Sequence, residues 1–574
     1  MTASGRGGWL ARTARRFGFG RALSLALLAA LVAVRIWDPA PVEALRVRTF
    51  DYFQILKPRA PHPARLVTIV DIDEASLREL GQWPWARTIV ADMVTRLTAA
   101  GAAVIAFDVV FAEPDRLSPA LVAGALSQLD EATRATLKTL PSNDAVLAEA
   151  MKASRVILGQ TAMSAPVPWP DAEPPPQTGV ARRGPDASAF LPTYPGLLRN
   201  VPVLENAALG RGLFTIEPEQ DGIVRRVPMI VRADGAEVPT LTLEILRILT
   251  GGNAILMWTN AAGVQRFDLP QLSIPTNGKG QVWVHFGPHD QSRFISAADV
   301  VSGRFAPEQV TGKIVLVGTS AVGLLDNKTT PVEPIMPGVE VHAQVLEAAL
   351  TGQMLSAPSY APVIEIFVTA AVAFAIILFA PILGAVPLLV FGAAVATFLT
   401  AASWYRFSNS GLLIDATFPL TASFLVYLTL VFTNYVREQA DRSRIRSAFG
   451  QYLSPALVEQ LAQNPEKLKL GGEERVMTVM FSDVRGFTTI SESYKHDPQG
   501  LTALMNRFLT PLTNAILDRK GTIDKYMGDA IMAFWNAPLD DPDHEANACH
   551  AALEMIARMD ALNALRRADR KSVV

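Results

Sequence analysis

The chain has 574 residues, a formal net charge of -2 and a single cysteine, Cys549. The nearly neutral charge argues against bulk binding to nucleic acid, and one cysteine excludes an intramolecular disulfide and a zinc site built from several thiolates. Half of the residues are hydrophobic and the mean hydropathy is +0.23, so we expect some apolar segments to lie in lipid. The length indicates about three or four domain-sized pieces.

The first predicted element is an apolar helix near the N-terminus. Five arginines precede or begin an apolar run over residues 22–34, a pattern that a signal peptide and a first membrane helix share. Residues 17–37 reach the roughly 20 residues of a spanning helix if the Arg21 and Arg35 side chains extend to the membrane surface. We favour an anchor, although either alternative would export the chain that follows.

The next residues predict a mixed α/β domain. The segments "RLVTIVDID" (65–73) and "AAVIAFDVVF" (102–111) are predicted strands, and the helical pattern between them, which ends at Gly101, predicts a parallel crossover. The segment "GLFTIEPEQDGIVRRVPMIV" predicts a hairpin that turns at Asp221 and Gly222. Farther along, "GKIVLVGTSA" predicts a buried strand and "PGVEVHAQVLEAAL" a closing helix.

Several polar and aromatic residues near these strands are candidate site residues. The aspartates are Asp71, Asp73, Asp108 and Asp115. They could gather at the strand ends and hold a cation or a polar ligand. Capping of helices and turns is the favoured interpretation, because acidic residues are common there for capping alone. Trp83 and Trp85 are likewise predicted to be core residues and not a ligand cage.

Three further apolar segments, 363–379, 382–404 and 412–436, predict membrane helices. Glu365 and Asp415 lie near the ends of their segments, where the burial of charge costs least. If the first two segments merged at "FAPILGAVP" into one long kinked helix, the number of crossings would change, and the C-terminal region would lie outside.

The distribution of arginines predicts the orientation in the membrane. Those that follow the last apolar segment are Arg437, Arg442, Arg444 and Arg446. The positive-inside rule therefore places the C-terminal region in the cytoplasm. One crossing outward and three back give the same result, so we expect an inner (plasma) membrane protein whose residues 39–358 are extracytoplasmic.

A first family resemblance rests on the order of several sequence blocks. These are "VDIDEASLRELGQWPWART", "GAAVIAFDVVFAEPD", "DGIVRRVPM" and "VLVGTSAVGLLDNKTTPVEPIMPGVEVHAQVLEAAL", followed by the three apolar segments. Together they resemble the second class of CHASE domains, extracytoplasmic sensor modules of bacterial cyclases and kinases, over roughly residues 39–436. The resemblance implies an extracytoplasmic ligand, which it does not identify.

Past the last apolar segment, the stretch "REQADRSRIRSAFGQYLSPALVEQLAQNPEKLKL" carries polar residues at helical spacing. Ser454 and Pro455 predict the start of a helix, and Asn464 and Pro465 predict its end. This segment is long enough to transmit a change in the packing of the membrane helices. The alternative is a plain linker.

Two motifs near the C-terminus carry the strongest chemical signal. The segment "ERVMTVMFSDVRGFTTISE" predicts a strand that ends at Asp483, a turn, and a helix that begins near Phe487 and Thr488. The segment "GTIDKYMGDAIMAFWN" predicts a hairpin with Gly528 and Asp529 at its tip. If these strands are neighbours, Asp483 and Asp529 meet at one end of a sheet. Two carboxylates that close are costly unless a divalent cation lies between them, although unrelated turns could also explain the two motifs.

Such a site suits phosphoryl transfer. Two metal ions could bind a nucleoside triphosphate, lower the pKa of an attacking hydroxyl and neutralise the leaving pyrophosphate. The backbone N–H groups of Phe487 and Thr488 would face the phosphates from a helix start. Lys525 is an ammonium donor that could meet the N1 acceptor of adenine, where guanine carries a donor.

The same motifs, together with "FGQYLSPALVEQL", resemble the class III adenylate and guanylate cyclases over about residues 446–567. The resemblance implies an α+β, ferredoxin-like domain in which Asp483, Asp529 and the backbone carbonyl of Val484 bind two Mg²⁺ or Mn²⁺ ions. It implies that ATP is converted to 3',5'-cyclic AMP and pyrophosphate, with Lys525 marking the adenine preference. It also implies a homodimer, since sites in this family form between two catalytic domains.

The sequence departs from this family in one respect. The family's domain continues into strands that carry a second adenine-recognising residue, an asparagine that orients the ribose and an arginine that stabilises the transition state. We find none of them here, so we expect this chain to be inactive or nearly so. The terminal "DRKSVV" is the translation of a common sequencing-adapter string, and we expect the natural gene to continue.

Together these patterns predict a multidomain membrane protein. Its parts are a cytoplasmic N-terminus with the first transmembrane helix (1–38), an α/β extracytoplasmic sensor (39–358), three transmembrane helices (359–436), a cytoplasmic helical linker (437–472) and the N-terminal part of a class III cyclase domain (473–574). The predicted function is an externally regulated adenylate cyclase. The alternatives are a receptor with a non-catalytic dimerisation or nucleotide-binding module and a guanylate cyclase, against which Lys525 argues.

Overall fold

The computed structural model describes residues 18–168, 178–321, 326–449 and 474–568. The chain divides into two compact units, one of residues Ser24–Tyr427 and one that combines Met1–Leu23 with Leu428–Val574. The predicted helix at Ser454 and Pro455, its predicted end at Asn464 and Pro465, and the terminal "DRKSVV" all lie outside the described residues.

The larger unit contains the predicted α/β domain. Its helices are α1 Phe19–Trp37, whose first turn belongs to the other unit, α2 Ala40–Leu56, α3 Glu74–Leu80, α4 Arg87–Ala99, α5 Pro119–Ala125, α6 Glu131–Thr139, α7 Asn143–Lys152, α8 Pro202–Ala207, α9 Leu241–Leu249, α10 Ala297–Ser302, α11 Gly338–Leu350, α12 Ala361–Leu383 and α13 Ala385–Ser410. Its strands are β1 Val67–Ile72, β2 Val104–Phe107, β3 Val156–Met163, β4 Gly179–Arg183, β5 Thr193–Tyr194, β6 Gly196–Leu198, β7 Gly210–Leu213, β8 Arg226–Pro228, β9 Ile230–Ala233, β10 Ala236–Pro239, β11 Ala254–Asn260, β12 Gly263–Leu269, β13 Leu272–Pro275, β14 Gln281–Trp283, β15 Phe294–Ser296, β16 Ile314–Thr319, β17 Asn327–Lys328 and β18 Met336–Pro337.

A seven-stranded sheet forms the centre of this unit. Its order is β15-β1-β16-β2-β3-β6, and β7 pairs beside β3. Every pairing is parallel except that of β6, which is antiparallel to β3. Helices α9 and α11 bury one face, and α4, α7 and α10 bury the other. The strands of a parallel sheet that is covered on both faces have nearly continuous apolar sequences. This explains why β1 and β16 are recognisable in the sequence.

The predicted crossover from β1 to β2 is confirmed, with one addition. Both strands run parallel in one sheet, but β16 lies between them, with Ile314 opposite both Val67 and Val104. Since β16 follows β2 by about 200 residues along the chain, no local pattern could reveal it.

The predicted hairpin at Asp221 and Gly222 is wrong in its pairing. The turn itself exists, because Gly222 has a φ of 83° and donates its N–H to Glu219 O at 2.8 Å. The flanking strands pair elsewhere, β7 with β3 and β8 with β14. Leu213 at the end of β7 is fully buried, so tertiary packing overrides the local turn signal.

Four described helices are long and apolar enough to cross a membrane. They are Phe19–Trp37, Ala361–Ala380 within α12, α13, and Thr417–Ala440 within a further helix, α14 Thr417–Phe449. The predicted division between the second and third is confirmed, because Gly384, with a φ of 71°, separates α12 from α13.

The two predicted acidic residues lie at ends of these helices and are held by polar contacts. Glu365, the fifth residue of α12, accepts a hydrogen bond from Arg35 Nε at 3.1 Å and another from Asp415 N at 3.0 Å. Asp415 in turn accepts from Thr417 N at 2.7 Å and caps α14. One buried cluster therefore joins the C-terminal end of α1 to the N-terminal ends of α12 and α14.

The smaller unit contains the C-terminal motifs. Its elements after α14 are β19 Thr478–Ser482, α15 Phe487–Ser493, α16 Pro498–Asp518, β20 Thr522–Met527, β21 Ala530–Trp535 and α17 His544–Ala568. The strands form an antiparallel sheet in the order β19-β21-β20. Helices α16 and α17 pack on one face around Trp535, which is fully buried and donates Nε1–H to Arg519 O at 2.8 Å.

Candidate functional site

Two of the four sensor aspartates are caps. Asp73 accepts hydrogen bonds from Ser76 N at 2.8 Å, at the start of α3, and from Ser296 Oγ at 2.9 Å. Asp115 accepts from Arg87 N at 2.7 Å, at the start of α4. The favoured interpretation from the sequence, capping, is therefore confirmed for Asp73 and Asp115.

The other two aspartates are buried at the ends of central strands. Asp71 Oδ2 accepts from Ser320 Oγ at 2.6 Å, while Oδ1 is buried and has no hydrogen-bond partner among the described residues. Burial raises the pKa of Asp71 to about 6 and raises the pKa of Asp108 well above its ordinary value. Asp108 Oδ1 lies 4.0 Å from Nε2 of His342. In the described parts of the chain, no three or more His, Cys, Asp or Glu side chains are arranged to hold a metal ion.

The raised pKa of Asp71 predicts an unusual pH dependence of stability. Between the ordinary value of 3.8 and about 6, the folded carboxyl holds its proton more tightly than the unfolded one. The free energy of unfolding therefore falls as the pH rises through this window, and the whole cost is present above about pH 6. Asp71→Asn removes this contribution, so between pH 4 and 7 its free energy of unfolding should rise by about 2 kcal/mol relative to that of the native protein.

Chemical unfolding of the purified chain at a series of pH values measures this difference. Parallel stability curves for the native protein and Asp71→Asn would contradict the prediction.

The two predicted core tryptophans pack as expected. Trp85 is 3% exposed, and its ring is perpendicular to that of Trp83, with centroids 5.0 Å apart. Trp85 donates Nε1–H to Gly81 O at 2.8 Å, which satisfies its polar atom. Both residues therefore contribute to the core beside α4.

In the smaller unit, the structure brings the two motif aspartates together. Strands β19 and β21 are antiparallel neighbours with Ser482 opposite Ile531, so Asp483 follows one strand where Asp529 precedes the other. Asp529 lies in the two-residue loop of the predicted hairpin, and its Oδ2 accepts a hydrogen bond from Val484 N at 3.3 Å. The predicted meeting of the two carboxylates at one end of the sheet is confirmed.

The helix start after Asp483 lies where the sequence predicts it, but one N–H group is already used. Gly486, with a φ of 76°, precedes α15, which begins at Phe487. Phe487 donates its N–H to Val484 O at 3.3 Å, within the turn. The Val484 carbonyl keeps a second lone pair. Binding of phosphate by the Phe487 N–H would require this turn to open. Thr488 is the second residue of α15.

Lys525 is the predicted residue that the structure does not bring to the two aspartates. It lies on the edge strand β20 opposite Met532 and is ion-paired with Asp524 at 3.4 Å. Its side chain is 58% exposed. Lys525 does not line the cavity beside Asp483 and Asp529.

A cavity of about 360 Å³ adjoins the two carboxylates. Its wall also includes Arg485, Asp560 and the apolar residues Leu512, Met555, Ile556 and Met559. Sequence reasoning missed the contribution of α17. The spacing of Met555 and Met559, one helical turn apart, is the signal that could have indicated an inward-facing stripe.

The residues at this cavity fit the predicted metal ions in chemistry. The candidate ligands, the Asp483 and Asp529 carboxylates and the Val484 carbonyl, are oxygen atoms, which Mg²⁺ and Mn²⁺ prefer. Magnesium is commonly held by one or two carboxylates together with water and substrate phosphates. Two converging carboxylates beside an open cavity therefore meet the requirement.

Comparisons with known proteins find similarity in both parts of the chain. A model of the CHASE2 domain matches residues 25–385, and a model of the adenylate and guanylate cyclase catalytic domain matches residues 472–571. Adenylate cyclase 1 of Rhizobium meliloti (strain 1021) is 31% identical over 129 residues, which are 22% of this chain and 19% of that protein. An adenylate cyclase of Anabaena cylindrica is 34% identical over 118 residues, 20% of this chain and 22% of that protein.

A solved structure of a bacterial light-regulated adenylyl cyclase is similar over 27% of this chain and 42% of that one, at 19% identity and a TM-score of 0.16. The matches to the two curated cyclases span only about a fifth of their lengths. The CHASE2 match, by contrast, extends over more than half of this chain. The chain belongs to the CHASE2 domain family, and its residues 472–571 match the adenylate and guanylate cyclase catalytic domain.

Proposed function

We propose that the protein is a membrane-bound adenylate cyclase under the control of its extracytoplasmic CHASE2 domain. It would convert ATP to 3',5'-cyclic AMP and pyrophosphate by two-metal catalysis in a homodimer. The observation that carries this proposal is the convergence of Asp483 and Asp529 at one end of the β19-β21 sheet, beside an open cavity. The cyclase domain match and the curated adenylate cyclases support it.

In this proposal, different residues of the chain bind the cations and the phosphates. Asp483, Asp529 and the Val484 carbonyl hold the cations. The N–H groups of Thr488 and, once its hydrogen bond to Val484 O opens, of Phe487 bind the phosphates of ATP. Two bound Mg²⁺ or Mn²⁺ ions would lower the pKa of the ribose 3' hydroxyl and neutralise the leaving pyrophosphate.

The position of Lys525 supports a homodimer. Lys525 is exposed on the edge strand and away from the cavity of its own chain, so it can reach an adenine only at the site of a second copy. The neighbouring sheet face is open and apolar, with Val479 45% and Phe481 65% exposed. Burial of such side chains stabilises association. In this proposal, the cyclase domain is ferredoxin-like.

The arginines in the C-terminal part of α14 support an orientation with residues 39–358 outside the plasma membrane and the cyclase domain in the cytoplasm. The buried cluster of Arg35, Glu365 and Asp415 is a candidate route for a signal. It ties the helix that precedes the sensor to the helix, α14, that leads toward the cyclase domain.

Membranes that contain the protein encoded by the full natural gene test the proposal directly, because we expect the 574-residue chain alone to be inactive or nearly so. With ATP and Mn²⁺, we expect cyclic AMP to accumulate, and with GTP, much less cyclic GMP. Absence of cyclic AMP in the presence of the folded protein would overturn the proposed activity in favour of a non-catalytic receptor.

Lys525→Glu tests the assignment of Lys525 to recognition of the adenine ring. We expect the preference for ATP over GTP to fall by roughly 10-fold or more, because the adenine N1 acceptor loses its donor and faces a carboxylate. The measurement is kcat/KM for both nucleotides. Lys520→Glu, at another exposed lysine of the same domain, is the control, and an equal effect of both variants would reject the assignment.

A further inference from the structure

Helix α2 lies at one end of the candidate membrane helices. It begins three residues after the last residue of α1, Trp37. Thr49 Oγ1 is 2.8 Å from Thr417 Oγ1 at the N-terminal end of α14. The Phe53 ring lies 5.4 Å from that of Trp404 near the C-terminal end of α13. The helix therefore reaches the sensor-side ends of α1, α13 and α14.

One face of α2 is packed against the sensor. Val47 and Phe50 are each 3% exposed, and the Phe50 ring contacts Trp283 of β14 with centroids 6.0 Å apart. On the same side, Asp51 accepts two hydrogen bonds from Arg225, at 2.8 and 2.7 Å. These contacts fix the rotation of α2 about its axis.

The opposite face of α2 is apolar and open. Its large side chains are Leu45 at 43%, Tyr52 at 58%, Ile55 at 55% and Leu56 at 55% exposed. The first three lie at i, i+7 and i+10, with Leu56 beside them, so they form one stripe along the helix. Arg48 lies within this stripe and is also exposed. In water, such a stripe on a helix that already buries its other face would be unfavourable.

We propose that the open stripe of α2 lies in the headgroup layer of the membrane and binds lipid. Its apolar side chains would reach the boundary between headgroups and acyl chains, with Arg48 beside lipid phosphates. Continuity with the candidate spanning helices favours lipid over a protein partner, because α2 contacts the sensor-side ends of α13 and α14. Tyr52 suits this boundary, since tyrosine is enriched at membrane–water interfaces. The inference rests on the proposed placement of the four helices in a membrane.

Lipid binding would give α2 a mechanical role. The same helix carries Asp51, which binds Arg225 of the sensor, and Arg46, which donates to Asp38 at 3.0 and 2.8 Å. Asp38 also pairs with Arg35 at 3.2 Å, and Arg35 belongs to the buried cluster at Glu365. A helix held at the membrane surface would thus form the fixed support against which the sensor moves the ends of the spanning helices.

Spin labels on the full chain test this proposal. In a Cys549→Ser background, single substitutions Leu45→Cys, Tyr52→Cys and Leu56→Cys would each carry a nitroxide, with the protein in nanodiscs of phosphatidylcholine and phosphatidylglycerol. The ratio of collisions with oxygen to collisions with a water-soluble nickel chelate reports immersion in lipid. We expect this ratio to be severalfold higher at all three positions than at Leu121→Cys, a leucine of α5 that is 51% exposed.

Phe398→Cys on α13, at a side chain that is 70% exposed, is the control for the membrane itself. A lipid signal at Phe398 together with aqueous values at the three α2 positions would overturn the proposal that α2 binds lipid, but not the placement of the four helices in a membrane. An aqueous value at Phe398 would overturn both the membrane placement and the proposal. Low collision rates with both reagents at α2, together with spin–spin broadening, would show that a second copy covers the stripe, and would also overturn it.

Discussion

In the protein encoded by the full natural gene, replacement of both Asp483 and Asp529 by asparagine is expected to lower cyclic AMP formation by more than about 100-fold. Asparagine keeps the size of each side chain but removes both negative charges, so the proposed cations lose their anionic ligands. The hydrogen bond from Val484 N to residue 529 can persist, because the amide retains an acceptor oxygen. The fold at the hairpin tip should therefore survive.

Two measurements check this expectation. Cyclic AMP formation in membranes gives the catalytic effect, and electron paramagnetic resonance of bound Mn²⁺ gives metal occupancy, which should be lost in the same variant. Asp540→Asn is the matched control, since Asp540 is an exposed acid of the same domain, 86% accessible and ion-paired with Arg475. Retained cyclic AMP formation in the double variant would reject the two-metal assignment.

Arg225→Leu is expected to destabilise the sensor unit by about 3–5 kcal/mol. Arg225 is 1% exposed and contacts three carboxylates, those of Asp51 and Asp221 at 2.7 Å and that of Glu219 at 3.0 Å. Its removal leaves Asp51 and Asp221 without the cation that they contact, while Glu219 keeps its ion pair with Arg226 at 2.6 Å. The free energy of opening, measured by hydrogen exchange at β8 and β14, should fall by this amount.

Two further variants give this prediction its controls. Arg304→Leu removes a second arginine that also contacts two acids, Glu79 and Asp299, but is 51% exposed. The free energy of opening measured by hydrogen exchange around Arg304 should change little, because solvent screens exposed ion pairs. Asp51→Asn combined with Arg225→Leu should recover part of the loss, since it removes one of the unpaired charges. Equal effects of the two arginine substitutions would contradict the expectation.

The elements that the sequence predicted well are those in which local pattern and final environment agree. The strand "VTIV" of β1 is apolar at nearly every position and is buried on both faces. The hairpin at Gly528 and Asp529 is likewise closed by its own turn residues. In both cases the residues that specify the structure are neighbours along the chain.

The elements that the sequence could not predict depend on distant partners. The turn at Asp221 and Gly222 forms, but the strand before it, which ends at Leu213, pairs with β3 in the central sheet. Similarly, Met555 and Ile556 of α17 reach the cavity at Asp483 from more than 70 residues away. No single segment carries the information that brings such residues together.

The position of β16 between β1 and β2 has a consequence for how the sensor acquires its structure. Strand β1 is synthesised first, but its partner β16 lies about 240 residues farther along the chain. Until β16 (Ile314–Thr319) has been synthesised, the edges of β1 and β2 that will pair with it have no hydrogen-bond partners. The sensor is thus expected to fold late and as a whole, so a fragment that stops before β16 should bind chaperones or aggregate.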